Sequence, residues 1–512
     1  GATVKHYCAN NLEYCRHYVS SEVDEAVLRE IYLKPFELAV KAEPYMVMTS
    51  YNLVNGVRMS ENARLIEVLR KEFGFDGVIV TDWEACKNAK KSIEAGTTMI
   101  FPFNAEREKE LEEIAKEHSV SEETVDAAAR KIIALAERCE SDKKLRKAEK
   151  SVEERIRVAE EIAEEGIVLL KNNGVLPLCK EQNVLFTGAP CKVYYAGEGS
   201  SKVVPCGEYE GLDEEYKKSG GKAFYCRSTY FELMSPWMNR LCGADIPVCC
   251  KMAEGADVTV ICAGNEPGTE SEFYDRERMT LSRVEEQAIK DIAAHSAKTV
   301  VVLFAGAPID MTAWIDKVDV VVWGGFGGQC SAKAIAAVLS GGVNPSGRLT
   351  ETFPLHLGDV PAEQSYRDSF VIKYSEGLNV GYRYFERCGK PVLFPFGYGL
   401  SYSEFAYSDL FAKVSGGEIL VSFSVENISR RDGKEVAQVY VGSSCKEYCS
   451  KELKGFEKIY LHANEKKKVT VRIEVDSLRH YTGGAWRHVS DEYTIYVCKN
   501  VNDVQLSAKI KI

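Results

Sequence analysis

Asp82 closes a short apolar run, Val78-Ile79-Val80-Thr81, and Trp83 follows it directly. A carboxylate at the end of a buried strand is where a barrel enzyme carries reacting groups, and an indole beside it offers a flat apolar face. The same position suits a helix N-cap, because Glu84 to Ala95 reads as helix. A second source of carboxylates lies far along the chain. The loop Gly264-Asn265-Glu266-Pro267-Gly268-Thr269-Glu270-Ser271-Glu272-Phe273-Tyr274-Asp275-Arg276 follows the apolar run Val258–Cys262 and holds three Glu and one Asp. Two carboxyl groups, one to attack an anomeric carbon and one to protonate the leaving oxygen, are what cleavage of a glycosidic bond requires. Composition does not choose among the acids of this loop, and a solvated acidic loop has the same composition. Lys5 and His6 form a third cluster, suited to binding sugar hydroxyls or merely to pairing with carboxylates.

The elements that must carry these groups follow from periodicity. Residues 1–140 alternate short apolar runs, such as Met46-Val47-Met48-Thr49, with amphipathic stretches, such as Asn62 to Phe73 with Leu65, Ile66 and Leu69 on one face. Repeated strand–helix units with polar strand ends predict part of a (β/α)8-type barrel. Residues 141–166 fall in a charged stretch of alternating sign and read as a helical linker. From 167 to 403 a second α/β region begins at Ile167–Leu170, and its buried strands Val258–Cys262, Thr299–Phe304 and Val318–Trp323, each followed by helix, predict an open α/β sandwich on a parallel sheet. From 404 to 512 the period changes to two, with strands Glu418–Val425, Glu435–Val441, Lys468–Val475 and Tyr493–Val497, which predicts a β-sandwich.

At 512 residues the chain is too long for one core. Its net charge of −11 argues against nucleic acid as a partner, and no run approaches the ~18 apolar residues of a membrane helix. The 17 cysteines are scattered without a C-x-x-C. Zinc and thioredoxin-like spacings are therefore missing, no metal site is expected, and free thiols in a reducing, cytoplasmic setting are the expectation. The glycines of Gly324-Gly325-Phe326-Gly327-Gly328 lack the spacing of a phosphate loop and read as tight turns.

Taken together, the clusters resemble glycoside hydrolase family 3 along nearly the whole chain. Lys5-His6-Tyr7 with Asn10-Asn11 and Glu13, Met48-Thr49-Ser50-Tyr51-Asn52 with Asn55-Gly56, and Gly74-Phe75-Asp76-Gly77 leading to Thr81-Asp82-Trp83 look like successive motifs of its barrel. Leu169-Leu170-Lys171-Asn172, Gly199-Ser200-Ser201, Pro345-Ser346-Gly347-Arg348-Leu349, Gly381-Tyr382-Arg383-Tyr384 and Pro395-Phe396-Gly397-Tyr398-Gly399 follow in the family's order, and the last domain resembles fibronectin type III. The resemblance implies a retaining, exo-acting β-glucosidase without metal or organic cofactor, acting on a small carbohydrate. It makes Asp82 the nucleophile and Glu272 the acid/base, with Glu270 a lesser candidate because Phe273 stands where glycine is usual. Lys5 and His6 would bind hydroxyls of the −1 sugar, Met48 and Tyr51 would lie close to the nucleophile, and Trp83 would wall the site. Asp82 is expected to be held ionised by hydrogen bonds and by Lys5.

A family barrel has strands ahead of the Lys-His segment, whereas only four residues precede Lys5, so the expectation is a fragment or one part of a split enzyme whose partner is the missing N-terminal barrel segment. Cys8-Ala9-Asn10-Asn11 is unlike the Pro-Gly-His stretch of the N-acetylglucosaminidase branch. β-Glucoside is therefore the leading substrate, ahead of β-xyloside or arabinoside. The rival from another class is a non-catalytic sugar-binding or assembly subunit.

Overall fold

The computed structural model describes residues 1–145, 150–228, 246–264, 269–362, 369–445, 447–448 and 450–512. The chain forms two compact units: Gly1–Glu149 with Ala362–Leu378 and His480–Arg487, and Lys150–Pro361 with Asn379–Arg479 and His488–Ile512. Contiguous blocks were the expectation from sequence, so the two late segments of the first unit are a difference. Specific contacts explain it. The Val371–Lys373 strand pairs in parallel with Ser20–Glu22, and the Tyr374 hydroxyl donates to the Ala9 carbonyl at 2.8 Å. In the hairpin His480–Arg487, the His480 Nδ1 lies 2.8 Å from Glu30 Oε2 and the Tyr481 N–H donates to Glu30 Oε1 at 2.7 Å. The Arg29 guanidinium covers the Tyr481 ring at 4.8 Å.

In the first unit the strands Thr3–Tyr7, Met46–Thr49 and Val78–Thr81 form a parallel sheet in that order. Between the second and third, Ala63–Glu67 continues as helix through Val68–Glu72 and buries Leu65, Ile66 and Leu69, the face expected from periodicity. The helix after Asp82 begins later than its sequence suggests. It spans Ala89–Glu94 and is capped by the Asn88 side chain, which accepts from the Lys91 N–H. Glu84 turns the chain with a φ of +61° before that helix starts. Asp82 is therefore not an N-cap, and its oxygens are left for other partners. Farther on, the charged stretch folds as two helices, Glu122–Leu145 and Val152–Gly166, and the first runs through the boundary drawn at residue 140.

The second unit is built on a six-stranded sheet in the order Val168–Asn172, Val320–Trp323, Thr299–Phe304, Val258–Gly264, Asn183–Thr187, Lys222–Cys226. All neighbours are parallel except the first pair, since Val168–Asn172 runs antiparallel to Val320–Trp323. The parallel sheet read from the sequence thus carries one antiparallel edge strand; an apolar run specifies a buried strand but not its direction. Val300 to Phe304 are fully buried between two apolar clusters, one on each face. Each such side chain contributes about 1.5–3 kcal/mol by leaving water.

The C-terminal sandwich pairs a sheet of Phe405–Ser415, Glu418–Asn427 and Lys466–Glu474 with one of Glu452–Leu461, Gly433–Ser443, Glu492–Asn500 and Asp503–Lys511. Period two puts Ile419, Val421, Phe423 and Val425 in the core between them. A buried ion pair lies within this unit, Arg348 Nη2 to Glu435 Oε2 at 3.0 Å, and the Tyr407 hydroxyl donates to the other Glu435 oxygen at 3.1 Å. Satisfying both carboxylate oxygens offsets the cost of burying the charge. Among the described residues, no helix is long and apolar enough to cross a membrane.

Candidate active site

Parallel register brings the polar residues of the first unit to one edge of its sheet. Thr49 is aligned with both Tyr7 and Thr81, so the residues that end the three strands emerge together. All four residues of Val78–Thr81 are buried, and the Thr81 hydroxyl accepts from the Phe101 N–H at 2.9 Å. Asp82, the next residue, is only 9% exposed. His6 Nε2 lies 3.1 Å from Asp82 Oδ2, the Trp83 N–H donates to Oδ1 at 2.7 Å, and the Tyr51 side chain also hydrogen-bonds the carboxylate. Burial alone would push the Asp82 carboxyl up, but His6, the Trp83 N–H and Tyr51 together hold it below the usual carboxylate range. The result is a desolvated, ionised carboxylate with defined orientation, suited to act as a nucleophile.

Around it, Tyr51 is 6% exposed, with the His17 ring 4.3 Å away and the Arg16 guanidinium 4.3 Å over its face. Arg16 is itself buried and pairs with Glu13 at 2.7 Å. Arg58 donates to the carbonyls of Tyr51 and His17, each at 3.0 Å. Trp83 is 61% exposed, with its ring 6.3 Å from that of Phe101. Met48 sits half-buried in the Met46–Thr49 strand.

Lys5 differs from expectation. It is exposed and forms no ion pair with Asp82 among the described residues; His6 supplies that contact instead. Arg16, His17 and Arg58 were not singled out from the sequence. The signal for Arg16 was its place three residues after Glu13, within an Asn-Asn-x-Glu segment already noted. Arg58 follows Asn55-Gly56 in the same way.

The acidic loop belongs to the second unit. It leaves the central Val258–Gly264 strand, all of which is buried. Residues 265–268, with Glu266 among them, lie outside the described residues. Glu272 is half-buried, and its Oε2 accepts from the Ser200 N–H at 2.8 Å. The backbone at Gly199 makes room for it. A Cβ there would stand 2.6 Å from the Glu272 Cβ, and the φ of +66° disfavours any other residue. Glu270 is held differently, by the Gly306 N–H at 2.9 Å and by Arg276 Nη1 at 3.2 Å. Phe273, standing where the resemblance led one to expect glycine, has a φ of +82°. The loop therefore keeps a glycine-like backbone at this position despite the ring.

Three family models match the chain: the Glycosyl hydrolase family 3 N-terminal domain over residues 1–135, the family 3 C-terminal domain over 167–402, and a fibronectin type III-like domain over 435–501. Among curated proteins, the thermostable beta-glucosidase B of Acetivibrio thermocellus is 37% identical over 100% of this chain and 69% of its own length. The exo-alpha-(1->6)-L-arabinopyranosidase of Bifidobacterium breve is 31% identical over 98% of this chain and 68% of its own. Among solved structures, beta-glucosidase 3B from Thermotoga neapolitana in complex with alpha-D-glucose matches with a TM-score of 0.91 at 31% identity, over 100% of this chain and 77% of that one. Sequence motifs, domain order and relatives of this similarity agree, and the chain belongs to glycoside hydrolase family 3.

Proposed function

We propose that this protein is an exo-acting, retaining β-glucosidase that releases terminal β-linked glucose by double displacement, with Asp82 as nucleophile and Glu272 as acid/base. The carrying observation is the Asp82 carboxylate, buried at a strand end yet held ionised by His6, Tyr51 and the Trp83 amide. Relatives named as β-glucosidases support the choice of glucose.

In this reading an Asp82 oxygen forms a bond to the anomeric carbon as the bond to the leaving oxygen breaks and Glu272 gives that oxygen its proton. Water then attacks the same carbon, Glu272 takes the water's proton, and the ester to Asp82 breaks. The two displacements restore the starting configuration. A retaining mechanism asks for about 5–5.5 Å between the two carboxyl groups. His6 and Lys5 bind hydroxyls of the −1 sugar, Met48 and Tyr51 line its floor, and Trp83 presents its exposed indole to the ring. The names of the arabinopyranosidase relatives support a second reading, in which the −1 site takes a pentopyranose.

The test gives the protein aryl β-D-glucoside, β-D-xyloside and α-L-arabinopyranoside. Proton NMR of the first-formed product should show β-glucose before mutarotation, with kcat/KM highest for the glucoside. α-Glucose appearing first would overturn retention, a pentoside preference would favour the second reading, and sugar binding without turnover would establish the non-catalytic alternative.

His6→Ala gives a pH test of the same site. Because His6 helps to depress the Asp82 carboxyl, its removal lets that carboxyl rise. The acidic limb of kcat/KM should then move to higher pH, with activity lost sooner as the medium is acidified. Losing a hydrogen bond to a charged group should also lower kcat/KM at neutral pH by about 10- to 100-fold. An acidic limb that stays in place, or moves the other way, would show that His6 does not hold Asp82 ionised.

A further inference from the structure

Glu272 stands in the chain between two side chains that the double-displacement mechanism does not use. Glu270, two residues before it, and Arg276, four residues after it, have side chains only 10% and 19% exposed. They are joined to each other, with Arg276 Nη1 3.2 Å from Glu270 Oε1. Each is also tied to the same short backbone segment beyond the Thr299–Phe304 strand. Glu270 Oε2 accepts from the Gly306 N–H at 2.9 Å, and Arg276 Nη2 donates to the Pro308 carbonyl at 3.0 Å. The turn carrying Glu272 is thus pinned on both sides to a segment rooted in a fully buried strand.

A pin is needed there. Phe273 has a φ of +82°, a conformation that costs a non-glycine residue about 1–2 kcal/mol. Such strain persists only where the surroundings over-determine it. A turn free at either end would relax by rotating Phe273 into an ordinary region, and Glu272, the preceding residue, would turn with it. Glu270 is committed to Arg276 and to a backbone amide, and the Glu272 carboxylate accepts from the Ser200 amide.

We infer that Glu270 and Arg276 form an ion-paired clasp that positions Glu272, and that neither is itself the proton donor. The inference rests on Glu272 being the acid/base. Because the proton matters most when the leaving group is a poor one, a misplaced acid costs most with alkyl glucosides and disaccharides and least with activated aryl glucosides.

The test compares Glu270→Gln and Arg276→Lys with the parent enzyme on an alkyl β-glucoside and on 2,4-dinitrophenyl β-glucoside, with Glu272→Ala run alongside. The clasp variants should lose about 10- to 100-fold in kcat/KM on the alkyl glucoside, the scale of an ångström-sized misplacement. On the dinitrophenyl substrate they should lose less than about threefold, and azide should give no acceleration. Retained turnover of the activated substrate also reports that the variants fold. Equal losses on both substrates in both variants, no loss on either, or azide rescue of Glu270→Gln would overturn the inference. If Glu272→Ala is not selective for poor leaving groups, the acid/base assignment itself fails. If it is selective while the clasp variants are not, only the clasp fails.

Discussion

Asp82→Asn is expected to lower kcat/KM for an aryl β-glucoside by about 10⁴-fold or more, equivalent to roughly 5.5 kcal/mol of transition-state stabilisation. The change keeps the volume of the side chain, and the Trp83 N–H retains an oxygen to donate to. It removes what the chemistry needs, since a carboxamide is a poor nucleophile and carries no charge to meet the developing oxocarbenium ion. The effect should be as large on activated substrates as on poor ones, because no leaving-group quality substitutes for a missing nucleophile. Steady-state rates on a series of aryl glucosides read this directly. Residual activity above about 1%, after contaminating parent enzyme is excluded, would falsify the assignment of Asp82.

Glu272→Ala should give a different signature. Turnover of alkyl glucosides and disaccharides is expected to fall by about 10²- to 10⁴-fold, the usual contribution of a general acid. The fall in kcat/KM for the 2,4-dinitrophenyl glucoside should be at most about tenfold, because that phenolate departs without a proton. The substitution also empties the space in front of Ser200 that the carboxylate occupies. A small anion such as azide can then attack the glycosyl-enzyme intermediate without base assistance. Added azide should therefore raise kcat on the activated substrate and yield the β-glycosyl azide, identifiable by mass spectrometry and NMR. If Glu270→Ala shows this rescue and Glu272→Ala does not, the two acids have been assigned the wrong way round.

Much of this architecture was legible in the residues themselves. Buried strands announce themselves as apolar runs, and period two exposes the sandwich, because burial on both faces or on one leaves a direct trace in hydropathy. Asp82 and Trp83 stand out because they end or follow such a run, His6 because it forms a polar pair with Lys5, and Tyr51 only through the family resemblance. What sequence did not disclose depended on geometry at a distance. The reading of Glu84 to Ala95 as helix missed the turn at Glu84, where a left-handed residue delays the helix to Ala89 and frees Asp82 from capping. The direction of Val168–Asn172 was invisible, since an edge strand presents the same apolar pattern either way. A Lys-His dipeptide does not say which of the two reaches the carboxylate, and here it is His6. Arg16 and His17 act through their stacking around the Tyr51 ring, which no local pattern encodes.

The hairpin His480–Arg487 has a consequence for how the molecule is made. Its anchor, Glu30, lies 450 positions earlier in the chain. A polypeptide emerging from the ribosome must therefore keep the Glu30 carboxylate waiting until position 487 has been synthesised. The entropy of closing so large a loop grows only logarithmically with its length, so the burden falls on time more than on final stability. At about 5–20 residues per second, the nascent first unit spends tens of seconds without its last segment. Over that interval chaperone capture, premature proteolysis and mispairing with a neighbouring nascent chain compete with native completion.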